Sequence, residues 1–190
     1  TLDVVLVRQL GRAVLIGTGS VSDSETLAEN LEALNIEYHL LYGLQNASEA
    51  EIISRAGHPG GVTIATNLAG CGTDIHLHPE VRANGGLHVI VAECQESPRL
   101  DRQMMGRCAR QGAPGSTQTC VSVEDRLIAV HGPWLADGFL RDADETGEVF
   151  SDFSPQLGRI QAAVERLQCA SRSDMLCRDL ARDSLRKSIR

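Results

Sequence analysis

Two arginines three residues apart, Arg107 and Arg110, are the side chains of this sequence best suited to chemistry on an anion. They lie in a segment predicted to be a helix from Pro98 or Arg99 to about Gln111. Because residues at this spacing project from one helix face, both guanidinium groups can converge on one anionic target. Such a pair suits phosphoryl transfer, in which the protein mainly stabilises charge on the transferred group. Surface salt bridges are the competing interpretation for any two arginines at this spacing.

A glycine-containing segment earlier in the chain offers a second candidate site. Residues 66–75 read Thr-Asn-Leu-Ala-Gly-Cys-Gly-Thr-Asp-Ile and follow a strand predicted over residues 62–65. In open α/β sheets, ligands bind beyond the carboxyl ends of the strands. Gly70 and Gly72 permit close backbone approach to a phosphate, and Asp74 offers an acceptor for a ribose hydroxyl or a metal-bound water. A plain turn is an equally open interpretation of the two glycines.

Asp74, His76 and His78 alternate, so in an extended segment they could share a face and resemble a metal site. Three alternating ligands in one strand seldom complete a coordination sphere, so we favour two histidines in a loop and predict no metal site. The six cysteines include no Cys-x-x-Cys pair and have no histidine at zinc-finger spacing, which predicts reduced thiols.

Apolar runs of about five residues recur along the chain with helical patterns between them, which indicates a parallel sheet with crossover helices. We therefore predict an α/β fold with about five strands, over residues 13–16, 36–42, 62–65, 87–92 and 119–123. After the first strand, Ser22 and Glu25 predict a capping box, in which the serine hydroxyl accepts from the amide of Glu25. Leu27, Leu31 and Leu34 then form the buried stripe of that helix, and a second helix is predicted over residues 47–56.

The last third of the chain reads as helical. Residues 132–155 are rich in Gly, Pro and acidic groups, which predicts short helices joined by loops. From residue 155 to the end, one long helix is expected, with a first apolar stripe and a second one that steps by four. The first stripe is Ile160, Ala163, Val164 and Leu167, and the second is Cys177, Ala181, Leu185 and Ile189.

The net charge of −7 is spread unevenly along the chain. From Pro155 onwards there are eight basic and four acidic residues, so this tail carries about +4 and the remainder about −11. An acidic body argues against nonspecific nucleic-acid binding, whose affinity comes mainly from neutralised phosphates. With no apolar stretch of roughly 18 to 20 residues and no secretory profile, we expect a soluble intracellular protein. The start at Thr1 suggests a fragment of a longer chain.

These segments resemble the fifth and sixth motifs of superfamily-2 helicase-type motors, and in detail those of the SecA family, the bacterial preprotein translocase ATPases. The resemblance follows the family's order along most of the chain. It is specific, because other helicase-type motors share only the short arginine motif. The matching residues are 17–21, 49–53, 63–70, 85–90, 96–97, 99–101, 103, 106–107, 110–112 and 114–116.

The resemblance implies a second RecA-like motor domain over residues 1–130, with helices on both faces of its sheet. A linker and the start of a helical scaffold would follow over residues 131–190. It also implies that Arg107 and Arg110 face the γ-phosphate of ATP with Mg²⁺, bound mainly by a first RecA-like domain. Further cofactor contacts are implied for Asn67, Gly72, Thr73, Asp74 and Gln111.

The implied function is to couple ATP hydrolysis to preprotein translocation, with the first motor domain, a preprotein and a membrane channel as partners. The expected location is cytoplasmic or peripheral at the inner membrane. A phosphate loop needs a glycine-rich turn that ends in lysine, and the only lysine is Lys187 in the tail. We therefore expect no Walker A site in this chain and no ATP hydrolysis by the isolated chain.

Four positions depart from the family pattern. Cys71, Cys94 and Met105 stand where the family has arginine, and Gln95 stands where it has histidine. The missing charges favour a first alternative, a degenerate stand-alone SecA-like module that serves as an interaction domain. A second alternative is the C-terminal domain of a nucleic-acid helicase. The acidic body and the segment at residues 85–90 both argue against it.

Overall fold

Five short parallel strands form the central sheet, as predicted. They are β1 (Val14–Thr18), β2 (His39–Leu41), β3 (Val62–Thr66), β4 (Leu87–Val91) and β5 (Gly115–Thr119). Their order in the sheet is β2-β3-β1-β4-β5. The register places Val14 beside Val62 on one side and beside His88 on the other. This computed structural model describes residues 2–42, 46–66, 74–149 and 151–188.

The three central strands, β1, β3 and β4, are buried at every position. A parallel sheet that is covered on both faces needs apolar side chains all along its strands, which is why these runs are recognisable in the sequence. Successive side chains point to opposite faces, so Leu15 packs in one core cluster while Val14 and Ile16 pack in the other.

Helices cover both faces of the sheet, which confirms the predicted α/β fold. Ala28 and Leu31 of the second helix pack in one core cluster, and Val81 and Met104 of the fourth and fifth helices pack in the other. The first and fourth helices were not predicted. The helices are α1 (Leu2–Gln9), α2 (Val21–Ala33), α3 (Asn46–Ala56), α4 (Pro79–Ala83) and α5 (Pro98–Met105).

The last strand lies earlier than predicted. β5 spans Gly115–Thr119 instead of residues 119–123 and pairs with β4 from Leu87 to Val91. It is polar and mostly exposed. The predicted position was wrong because it was based on an apolar run. An exposed strand at the edge of a sheet does not need apolar side chains.

The start of α2 also differs from the prediction. Its N-cap is Ser20, whose hydroxyl accepts from the amide of Asp23 at 3.1 Å, so the capping interaction lies two residues before the one predicted at Ser22. β1 ends at Thr18, and the helix begins after a two-residue loop. Of the predicted apolar stripe, Leu31 is buried, whereas Leu34 is 52% exposed.

The chain divides into two units. Unit 1 comprises Thr1–Gln95 and Arg99–Ser122 and contains the sheet. Unit 2 comprises Glu96–Pro98 and Val123–Arg190. The helices of unit 2 are α6 (Arg126–His131), α7 (Ala136–Asp142) and α8 (Ser154–Ser188), with a 3-10 turn at Pro133–Leu135. The short helices and the long terminal helix are therefore confirmed.

Among the side chains of α8 that the structure describes, only those in its first part are packed. Ile160 and Val164 of the first predicted stripe are 3% and 2% exposed, but Leu167 is 64% exposed. From residue 169 to 180 every side chain is exposed, including Cys177 of the second stripe. The side chains of Ala181, Leu185 and Ile189 lie outside the described residues. Within the described part of the chain, no helix is long and apolar enough to cross a membrane.

Candidate functional site

Helix α5 is held close against β1 by a glycine. A Cβ atom on Gly17 would lie 2.7 Å from two atoms of the Met104 side chain, so the bare backbone of β1 is what allows Met104 to pack there. Met104 is 2% exposed. This packing fixes the helix that precedes both candidate arginines.

α5 ends at Met105, six residues earlier than predicted, so Arg107 and Arg110 do not share a helix face. The amide of Arg107 donates to the carbonyl of Met104, three residues back, which tightens and closes the last turn. Ala109 and Gln111 then adopt left-handed φ angles of 54° and 52°. Such angles interrupt a helix. Neither alanine nor glutamine favours them, so the sequence does not indicate this interruption.

The turn between the two arginines lies against the start of β5. A Cβ atom on Gly115 would lie 2.8 Å from the amide nitrogen of Ala109, so only glycine allows this approach. The backbone therefore brings Arg107 and Arg110 to one place by a left-handed turn. Both arginines line the same cleft, although they do not share the predicted helix face.

Arg110 is fixed by partners on two sides. Its Nε donates to the carbonyl of Gly106 at 3.0 Å, and its Nη1 lies 3.5 Å from Oδ1 of Asp74. The other oxygen of Asp74 accepts from Nε2 of Gln111 at 2.6 Å. The carboxylate of Asp74 thus joins the two segments that the sequence singled out.

Both arginines line one shallow cleft that is open to solvent. Asp74 and Gln111 line it too, and so does Arg82 of α4, which the sequence analysis missed. No motif marks Arg82, because it belongs to a short polar helix whose position only the fold defines. With three guanidinium groups and one carboxylate, the cleft has a surplus of positive charge.

The surplus of positive charge makes this cleft suited to an anionic ligand. Arg107 lines the cleft although it is only 8% exposed. Among the described residues, Oδ1 of Asp74 is buried and accepts no hydrogen bond, although Nη1 of Arg110 lies 3.5 Å from it. Its acceptor capacity is therefore unused by the described residues, and the role predicted for Asp74 stays a prediction.

Three predicted cofactor contacts, Asn67, Gly72 and Thr73, lie outside the described residues, as does Cys71. The two histidines weighed as metal ligands flank Leu77 in the segment before α4. His78 caps that helix, with Nδ1 accepting from the amide of Glu80 at 3.3 Å. Within the described ranges, no group of three or more His, Cys, Asp or Glu side chains is placed to hold a metal ion.

Three departures from the family pattern lie within the described residues, and none of them lines the cleft. Cys94 is 8% exposed, and its thiol lies 3.7 Å from Oδ2 of Asp101. Met105, the last residue of α5, is partly buried and packs against the core cluster that contains Met104. The backbone N–H of Gln95 donates to Oδ1 of Asp101 at 3.0 Å.

Comparison with known families agrees with this architecture. The model of the SecA P-loop domain matches residues 2–84 and 78–144. The chain belongs to the SecA P-loop domain family. The predicted family is therefore confirmed.

Two SecA relatives show how much of the protein this chain represents. The SecA translocase subunit of Cytophaga hutchinsonii is 43% identical over 190 residues, covering 98% of this chain and 17% of the relative. A second relative, protein translocase subunit SecA 2 of Magnetococcus marinus, is 51% identical over 126 residues. The match covers 66% of this chain and 19% of the relative. The chain thus spans less than a fifth of the length of either relative.

A solved structure supports the fold. The DEAD-box protein SrmB of E. coli, crystallised with the regulator of ribonuclease activity A, superposes with a TM-score of 0.54 at 25% identity. The match covers 67% of this chain and 72% of that one. The predicted RecA-like fold of the SecA domain is confirmed.

Proposed function

We propose that this SecA-family chain is the second RecA-like motor domain of a protein-translocating ATPase, over residues 1–130, and that residues 131–190 lead into a helical scaffold. The observation that carries the proposal is the cleft in which Arg107 and Arg110 lie together and Asp74 holds Arg110. The cleft is built from the two segments that carry the family motifs.

Each residue of the cleft has a distinct task in this proposal. ATP with Mg²⁺, bound mainly by the phosphate loop of a first motor domain, would supply the γ-phosphoryl group. Arg107 and Arg110 stabilise negative charge on that group, and Asp74 orients Arg110 through their ion pair. Oδ1 of Asp74 accepts from a ribose hydroxyl or a metal-bound water. Further contacts to the nucleotide come from Asn67, Gly72, Thr73 and Gln111.

The work done by such a motor is the movement of preproteins through a membrane channel from the cytoplasmic side, at the inner membrane. The two relatives support this, since both are protein translocase subunits. Because the chain covers only part of those relatives, the first motor domain, the preprotein and the channel are proposed partners.

The test supplies in trans the first motor domain of a SecA relative, with its own phosphate loop. The wild-type chain should raise ATP hydrolysis by that domain. Arg110→Ala should lower kcat by about a thousandfold or more, because a transition-state arginine contributes that much in related phosphoryl transfers. The matched control is Arg55→Ala, since Arg55 forms an exposed pair with Glu51. An unchanged rate for Arg110→Ala would refute the role of this arginine.

The packing of Cys94 and Met105 supports a second candidate, an interaction module that has lost catalysis. Two positions where the family has arginine contribute here to packing and carry no charge. In this case the chain would bind the first motor domain with measurable affinity, yet wild type and Arg110→Ala would both leave its hydrolysis unchanged.

A further inference from the structure

Arg82 is the cleft residue that no sequence motif marks. It lines the same open cleft as Arg107 and Arg110. It belongs to α4, which lies in the chain between Asp74 and β4. The three guanidinium groups of the cleft therefore come from two separate segments. Three arginines against one aspartate give these four side chains a net charge of about +2.

The backbone that carries Arg82 is fixed at both ends of α4. The amide of His78, the N-cap residue, donates to the carbonyl of Gly57 at 2.9 Å. After the helix, the amide of Gly86 donates to the carbonyl of Val81 at 2.7 Å. Val81 is fully buried and packs in a core cluster. The helix cannot turn about its axis without removing Val81 from the core, so Arg82 keeps its place at the cleft.

The segment that leads from Asp74 to α4 is packed as well. The side chains of Ile75 and Leu77 line the cleft and also pack against the core cluster of α4 and α5. A Cβ atom on Gly57 would collide with the carbonyl oxygen of His76, so this segment passes directly against the backbone after α3. This wall of the cleft is therefore formed without a ligand, which lowers the cost of binding one.

The three arginines differ in how their donors are used. Nε of Arg110 donates to the carbonyl of Gly106, and its Nη1 lies 3.5 Å from Asp74. Arg107 is 8% exposed. The side chain of Arg82 is exposed, and among the described residues it has no hydrogen bond or ion pair. Its donors therefore face water and can turn to a ligand at the cleft.

We infer that Arg82 is a binding residue, which sets the affinity of the cleft for a ligand with several phosphate charges. A planar guanidinium donates to two phosphate oxygens at once, and a net charge of about +2 favours a multiply charged anion over a single carboxylate. Because Arg82 is exposed and has no fixed partner, its contact strengthens binding without a preference for the transition state. The binding half of this inference is independent of what Arg110 does. The catalytic half, in which the ligand is the triphosphate of ATP, rests on the proposed function.

Calorimetric titration of the 190-residue chain with inorganic tripolyphosphate tests the binding half. The titration is run in about 0.1 M salt, which screens charges that lie more than about 10 Å apart. Arg82→Ala should raise Kd about tenfold, as expected for one lost hydrogen bond to a charged group. Urea unfolding should not change, since the removed side chain is exposed. An unchanged Kd for Arg82→Ala, or no binding by the wild-type chain at millimolar tripolyphosphate, would overturn the inference.

Charge reversal separates a local contact from an effect of net charge. Arg82→Glu and Arg55→Glu change the net charge equally, but Arg55 pairs with Glu51 on α3 and does not line the cleft. Arg82→Glu should weaken tripolyphosphate binding more than Arg82→Ala, whereas Arg55→Glu should stay within about twofold of wild type. Arg82→Lys should fall between wild type and Arg82→Ala, since it keeps the charge and loses the forked geometry. Equal losses for Arg82→Glu and Arg55→Glu would contradict a contact at Arg82.

ATP hydrolysis with the added first motor domain tests the catalytic half. Arg82→Ala should raise KM for ATP about tenfold and leave kcat within about twofold, which is the pattern of lost uniform binding. Arg110→Ala should lower kcat instead. If Arg110→Ala is fully active while tripolyphosphate binding responds to Arg82→Ala, the proposed function fails and the phosphate site stands. If Arg110→Ala is inactive while neither Kd nor KM responds to Arg82→Ala, only the role of Arg82 fails.

Discussion

Asp74 is the residue at which the glycine segment and the arginine segment meet. Its carboxylate lies 3.5 Å from Arg110 and accepts from Gln111, and its side chain is 29% exposed. An ion pair with that much exposure stabilises the fold by less than about 1 kcal/mol. In the proposed function its value is therefore in orienting Arg110, a small contribution to stability on which the proposed catalysis depends.

Asp74→Asn should separate these two effects. The amide keeps the shape and can still accept from Gln111, but it removes the charge that holds Arg110. We expect the free energy of unfolding in urea to change by less than about 1 kcal/mol. The hydrolysis rate of the complemented site should fall about tenfold to a hundredfold, as for a misplaced catalytic group. Glu51→Gln, which breaks the exposed pair with Arg55, serves as control and should change neither quantity. A parallel loss of stability and activity would show that Asp74 acts structurally.

At the scale of elements, the contact between α5 and β1 sets where the arginine turn begins. Gly17 leaves no room for a Cβ atom, because Met104 fills that space. Gly17→Ala should therefore destabilise the chain by about 1 to 3 kcal/mol in urea unfolding, as overpacking in a core does. The contrasting control is Gly158→Ala, since nothing lies within 4 Å of a Cβ atom there and α8 should gain about 0.5 to 1 kcal/mol. An unchanged stability of Gly17→Ala would mean that Met104 moves aside without cost.

The elements also show which features could be predicted from the sequence. β1, β3 and β4 were recognisable because burial on both faces demands apolar residues throughout. β5 was misplaced because an exposed edge makes no such demand. The end of α5 was missed for a different reason. The left-handed angles at Ala109 and Gln111 are imposed by packing on β5, and neither residue type signals them locally.

The site shows the same division between local and tertiary information. Asp74, Arg107, Arg110 and Gln111 could be predicted, because each belongs to a segment with an unusual pattern of glycine or arginine. Arg82 could not, since its place in the cleft depends on how α4 packs.

At the scale of the whole molecule, a buried polar network links distant parts of unit 1. Nδ1 of His88 on β4 lies 2.7 Å from the hydroxyl of Ser116 on β5. Nη2 of Arg12, just before β1, donates to that hydroxyl at 2.7 Å. While it accepts from Arg12, the hydroxyl can donate its own hydrogen to Nδ1 of a neutral His88. Burial and the charge of Arg12 lower the pKa of His88, while Asp3 and Gln118 raise it by less.

This network predicts a pH dependence of stability for the whole chain. Because the pKa of His88 in the folded state lies below its ordinary value of 6.5, the unfolded chain takes up the proton first as the pH falls. Stability should be full above pH 6.5 and should decline below it, until the folded-state pKa is reached. Urea unfolding at pH 7.5 and 5.5 measures the loss. His88→Asn, whose oxygen can still accept from Ser116, should lose less stability than wild type between these values. His39→Asn, which changes a histidine outside the network, should lose as much as wild type. An equal loss for His88→Asn and wild type would show that other groups set the acid sensitivity, and that the strand pair β4–β5 does not depend on a neutral histidine.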